Sequence, residues 1–219
     1  MNILYEDPQI LVCHKEAGLP VQSADMTRQD LVSMLKIHLA EERIRTGRQE
    51  KEPYLAVVHR LDQPVQGILV FGKTKEAAAH LSRQNVEGRM EKEYLAKVRP
   101  VKEAVSPGEE IHLVDYLVKE PRSNSSRVAS CGERGAKRAE LYAKALTPSL
   151  FRIRLVTGRH HQIRVQLSHA GFPLAGDRKY AGDASLPWPA LCACRLSFDH
   201  PKKRQRMEFS LEEREIWFL

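Results

Sequence analysis

Little in this sequence commits it to a metal, a cofactor or a membrane. No run approaches the ~18 apolar residues that a membrane span needs. The opening, MNILYEDPQILV, lacks a basic stretch followed by a long apolar segment and a small-residue cleavage site. A soluble, cytoplasmic protein is therefore expected. There is no dinucleotide-binding glycine fingerprint, no phosphate loop and no zinc-type ligand spacing, so no cofactor and no metal are expected. Internal repeats and low-complexity tracts are also missing, which argues against a solenoid or scaffold role. The four cysteines, Cys13, Cys131, Cys192 and Cys194, form no Cys-x-x-Cys pair. On a strand Cys192 and Cys194 would share one side, as small buried apolar groups or, alternatively, in a metal or disulfide role.

What is present is an ordinary globular composition with a basic bias. The 219 residues include 42% hydrophobic and 29% charged, enough to bury a real core. Lys and Arg number 35 against 28 Asp and Glu, a formal charge of +7. That excess suits a polyanionic partner, because cations that meet phosphates release counterions.

Strands are expected at Ile3–Tyr5 and Ile10–His14, around a turn at Asp7-Pro8. A helix is expected over 27–45, capped by Thr27, with Leu31, Met34, Leu35, His38 and Leu39 on one stripe. Arg45–Glu52 reads as a loop. Tyr54–Val58 and Ile68–Phe71 read as buried strands, and Thr74–Val86 as a second helix ended by Gly88. Further strands are expected at Tyr94–Val98, Glu140–Leu146, Phe151–Val156, Leu191–Phe198 and Met207–Leu211, with a basic turn at Lys202–Arg206. The stretch EPRSNSSRVASCGERGAKR reads as a mobile excursion, either a solvated loop or a backbone contact for RNA through Arg122, Arg127, Arg134, Lys137 and Arg138. A third helix is expected from His161 to Ala170. Strands and helices mix without regular βαβ alternation, which predicts an α+β fold.

Two clusters carry chemistry. In HRLDQPVQG, apolar strands present a short polar loop containing His59, Arg60 and Asp62. A carboxylate there can be a nucleophile, a general base or a metal ligand; equally, it can cap a turn. In TGRHHQIRVQLSHAG, Arg159, His160, His161, Gln162 and Arg164 gather at a helix start, where free N–H groups favour an anion. Arg164 falls off the stripe of Ile163, Leu167 and Ala170, so it is available to pair with a buried carboxylate. The adjacent histidines diverge by roughly 100° on a helix and have no further ligand, so a zinc site is not expected.

Three blocks in order make the chain resemble the RluA-type family of RNA pseudouridine synthases over nearly its whole length. They are HRLDQPVQGILVFGKT, KEYLAKV and TGRHHQIRVQLSHAGFPLAGDRKY. ILYEDPQILVCHKEAGLPV and LCACRLSFDHP are similar to the family's first and last strands. The resemblance implies a single pseudouridine synthase catalytic domain over 1–219. Its fold would be a mixed, largely antiparallel, bent β-sheet with flanking helices. It places Asp62 as nucleophile, Arg164 as the arginine that pairs with it, and Tyr94 as the active-site tyrosine; read without it, Tyr94 is as readily a core aromatic. Arg60 would fill the space vacated by a flipped base, or else serve as a surface phosphate contact or salt bridge. His59, Arg159, His161 and Gln162 would complete the RNA-binding set. The implied reaction converts uridines of ribosomal or transfer RNA to pseudouridine, by addition to C1′ or through a glycal, on a flipped-out base. It needs no cofactor and no metal. The motifs begin at residue 2, so one catalytic domain, expected as a monomer, would hold its own RNA. The sequence departs from the family at Pro64-Val65-Gln66-Gly67, where a segment ending Thr-Ser-Gly is usual. His160 stands where Thr or Ser is common, and Glu16 where proline is common.

Overall fold

The structure is a computed structural model that describes residues 2–25, 27–47, 52–101 and 105–219. The fold is α+β, with a mostly antiparallel sheet and, among the described residues, three α-helices, as expected. Contacts divide the chain into two compact units. The first comprises Met1–Glu91 and Cys194–Glu215, the second Lys92–Ala193 and Ile216–Leu219.

In the first unit, β1 (Asn2–Glu6) pairs with β2 (Ile10–Lys15) around the expected Asp7 turn. Asp7 makes that turn itself, its carboxylate accepting from Gln9 and Ile10 N–H at 2.8 and 2.9 Å. Helix α1 covers Leu31–Arg45, four residues shorter than expected. Thr27 cannot cap it, because its own N–H and hydroxyl bond to Asp25; Asp30 caps instead, accepting from Ser33 N–H at 2.8 Å. Of the loop expected over Arg45–Glu52, residues 48–51 lie outside the described residues.

The short β3 (Ala56–Val57) and the fully buried β4 (Gln66–Gly72) follow, with β4 antiparallel to β2 and Lys15 opposite Gly67. Helix α2 (Lys75–Val86) starts at the expected cap, Thr74 Oγ1 accepting from Ala77 N–H at 3.1 Å. It packs Ala77, Ala78 and Leu81 inward. Alanine suits that face because β4 approaches so closely. Strand β5 (Glu91–Lys97) leads into the second unit.

There, β5 lies in an antiparallel order β5-β9-β8-β6-β7. The partners are β6 (Glu110–Glu120), β7 (Ser125–Ala129), β8 (Lys137–Thr147) and β9 (Leu150–Leu155). The expected excursion after Glu120 is thus corrected. It turns at once and returns as β7, pairing Tyr116 with Ala129 and Glu120 with Ser125. Two of its five cations are held by neighbours rather than open: Arg127 pairs with Glu120 and Glu133, and Arg138 with Glu140. Strand β6 carries no expected element above. Its outward residues are polar or exposed, which dilutes the apolar signal.

Helix α3 (Gln162–His169) packs Val165 on Leu117 and Ala139 of the sheet. β10 (Leu191–Asp199) and β11 (Arg206–Ser210) form the closing hairpin, with Arg195 to Asp199 paired to Ser210 to Arg206. Cys192 and Cys194 are buried, as expected. No helix among the described residues is long and apolar enough to cross a membrane.

Candidate active site

In the first unit, Asp62 sits at the tip of a tight turn. Its backbone carbonyl accepts from Val65 N–H at 3.0 Å, and buried Leu61 and Val65 pin the two ends. Asp62 is half-buried between them while Arg60 is exposed. Arg60 hydrogen-bonds the side chain of Gln22 at 2.5 Å. His59 is buried, and its Nε2 accepts from the Val70 N–H at 3.2 Å. It therefore braces the turn against β4 from inside rather than facing outward.

Beneath the turn lies a residue that sequence reasoning missed. Lys15, at the end of β2, is completely buried. Its ammonium donates to the carbonyls of Glu16, Leu19 and Gln63 at 3.0, 2.8 and 3.0 Å. Burial pushes its pKa down to about 8, and attraction to Asp62 opposes that shift. One cation thus ties two loop segments together, the stretch after β2 and the Asp62 turn, and feels the carboxylate charge. Alternation gave no warning of it, because Ile10, Leu11, Val12 and Cys13 are all fully buried and β2 has no single inward parity.

Gln66, one of the departures from the family pattern, is buried and hydrogen-bonded. Its Nε2 contacts the Glu215 carbonyl at 2.6 Å and His14 Nε2 at 2.8 Å. The neighbouring Gly67 has φ +146, a conformation that favours glycine.

In the second unit, Arg164 lies on α3 and is 5% exposed. Its Nε and Nη2 donate to the two oxygens of Asp177, each at 2.8 Å, a bidentate pair. Asp177 also accepts from Lys179 and Tyr180 N–H. Asp177 was not singled out from sequence, although it stands in the same block, 13 residues on. Tyr180 places its ring 5.0 Å from the Arg164 guanidinium. Its hydroxyl meets His161 Nδ1 at 2.7 Å and accepts from Ser126 N–H at 2.8 Å.

His161 starts α3 with φ +54 and stacks on His160, centroids 3.8 Å apart. Burial first, then the Arg164 charge, push its pKa down to about 3. It is held neutral by its setting. Gln162 is buried and clamps the helix start, accepting from Thr157 Oγ1 and Arg159 N–H and donating to the Glu140 carbonyl. His161 and Gln162, expected among the RNA contacts, are thus bound up internally. Arg159 stays exposed and donates to the Arg138 carbonyl at 2.9 Å. Tyr94 is 7% exposed on β5, opposite Ile153. Ile153 also lies opposite Ala143, so Tyr94 belongs to the buried sheet face on which α3 packs.

Comparisons with known proteins give the family. Residues 9–169 match the family model for RNA pseudouridylate synthase. A protein of Vibrio vulnificus named dual-specificity RNA pseudouridine synthase RluA is 33% identical over 92% of this chain and 78% of its own length. Ribosomal large subunit pseudouridine synthase D of Pseudomonas aeruginosa is 32% identical over 100% of this chain and 71% of its own. The synthase C of Haemophilus influenzae is 28% identical, and there the chain spans only 64% of the relative's length. Among solved structures, human RNA pseudouridylate synthase domain containing 4 superposes with a TM-score of 0.71 at 22% identity, covering 96% of this chain and 88% of that one. The chain therefore belongs to the RluA-type family of RNA pseudouridine synthases, a family of isomerases.

Proposed function

We propose that this chain is a cytoplasmic RNA pseudouridine synthase. It isomerises uridines of ribosomal or transfer RNA with Asp62 as nucleophile, and residues 1–219 act as one catalytic domain. The observation that carries the reading is the Asp62 turn, pinned by Leu61 and Val65 and tied from below by the buried ammonium of Lys15. A carboxylate so placed stays ionised and oriented when a base enters and water leaves.

In the reaction the C1′–N1 bond breaks, the uracil turns over, and C5 bonds to C1′. The C5 proton is then lost and N1 gains one, so the product is an isomer. No net oxidation occurs, and no cofactor or metal is needed. Asp62 attacks C1′ or assists elimination to a glycal; both begin with the same carboxylate. Arg164 takes the role that the family resemblance assigns to it, the arginine partner of the nucleophile, and Asp177 orients its guanidinium. Tyr94 stacks on the uracil and helps remove the C5 proton. Arg60 and Arg159 contact RNA, while His59, His161 and Gln162 position the loops that do so.

Pseudouridine mapping by carbodiimide, on RNA from cells with and without the gene, identifies the substrate. On that transcript Asp62→Asn abolishes turnover while RNA binding persists. Appreciable turnover by that variant removes Asp62 from its role.

A further inference from the structure

The sheet of the second unit has a second face, opposite the one covered by α3, and it is built unlike an ordinary solvated surface. Across β9, β8 and β6 the register sets Arg154 beside Tyr142 and Tyr142 beside His112. The Arg154 guanidinium carbon lies 4.4 Å from the Tyr142 ring centre. The His112 ring stacks on Tyr142 at 4.3 Å with only 5° between planes. Three flat groups thus stand on the sheet as one column.

The column ends in the open. Strand β7 pairs β6 only from Tyr116 onward, so Glu110–Val114 forms a free edge and no described strand lies beyond His112. His112 is oriented by Glu140, whose carboxylate meets Nε2 at 2.8 Å and also pairs with Arg138. One register step away, Lys144 and Arg152 face each other on the same side, both exposed. Neither they nor Arg154 has an ion-pair partner among the described residues.

From this geometry we infer that the outer face of β6, β8 and β9 is a second RNA-binding surface. An unstacked base continues the column on the free side of His112, and Lys144 and Arg152 hold the adjoining phosphates. The inference rests on the proposed RNA substrate. Single-stranded RNA is recognised by such pairings of stacking groups with cations, because every base has a flat face and every nucleotide a charge. An acidic protein surface would use the cations and have no need of an oriented, open ring. The face lies on the far side of the sheet from Tyr94 and α3. It therefore serves affinity and choice of RNA, and takes no part in the chemistry.

The test uses the full chain, deproteinised ribosomal RNA as probe, and three variants: His112→Ala, Lys144→Glu with Arg152→Glu, and Lys144→Gln with Arg152→Gln. These positions are exposed, and unchanged thermal unfolding confirms that each variant is folded. Both double variants should weaken binding about ten-fold or more. Losing two phosphate contacts should lower the slope of log affinity against log salt by about 2. His112→Ala should weaken binding several-fold without changing that slope. In all three, KM rises and kcat stays at the wild-type value. RNA carrying 4-thiouridine should cross-link to the peptide containing His112. Unchanged affinity and slope in the double variants, or no cross-link to that peptide, overturns the inference. Wild-type protein that binds through this face yet forms no pseudouridine overturns the functional reading alone. Pseudouridine formation indifferent to the face overturns only this surface.

Discussion

Lys15 and His161 show how single side chains acquire a function from burial. Lys15 has no counter-charge on its own strand; it is kept by three carbonyls and by the attraction of Asp62. Replacing it with Met leaves three acceptors without a donor. Lys15→Met should lose roughly 3–5 kcal/mol of stability and most activity. Urea unfolding and turnover measured on the same sample check this, and a variant as stable and active as wild type would exclude the tie. His161 gives a pH prediction. Its folded pKa, about 3, lies below that of the unfolded chain, so the unfolded state binds the extra proton. The neutral-histidine contribution is complete above pH ~6.5 and is lost as pH falls from there toward 3. The slope is at most ~1.4 kcal/mol per pH unit, the limit for one proton. His161→Asn, which tolerates the left-handed backbone, should flatten that slope in unfolding measured from pH 7 to 4. An unaltered slope would assign it to another group.

At the scale of elements, helices and buried strands were largely legible and their ends less so. Helix α2 was found with its cap because Thr74 has no carboxylate two residues before it to bond instead. Helix α1 was started too early because Thr27 had one, in Asp25. Strand β7 was hidden inside a Ser-, Gly- and Arg-rich segment, since an edge hairpin with one solvated face needs little apolar sequence. The packing of β4 on α2 makes a sharper prediction. A Cβ added at Gly72 would lie 2.7 Å from the backbone of Ala78. Neither backbone can yield without moving its element. Gly72→Ala should therefore cost about 1–3 kcal/mol, read as a lowered Tm. An unchanged Tm would mean that α2 is not seated there.

For the whole molecule, charge is the property that composition fixed and folding distributed. The net +7 predicts RNA affinity that falls linearly on a log–log plot with salt. Filter binding between 50 and 200 mM salt checks this, on the order of a hundred-fold loss or more being expected when several phosphates are engaged. Flat affinity would remove the electrostatic footing of the reading. Folding, however, takes several cations out of that pool. Arg127, Arg138 and Arg164 are occupied by Glu120 and Glu133, by Glu140, and by Asp177. Others, such as Lys144 and Arg152, are left exposed on one sheet face.

The sequence by itself determined the α+β class, most of the elements, and the short blocks that carry Asp62, Tyr94 and Arg164. Those depend on periodicity, turn chemistry and local order, all of which neighbouring residues encode. Only the tertiary structure decided that Lys15 lies under the Asp62 turn, that Asp177 holds Arg164, and that Gln66 bonds the Glu215 carbonyl. A buried charge or amide finds its partners where the chain returns after many residues, and that return is set by the packing of whole elements.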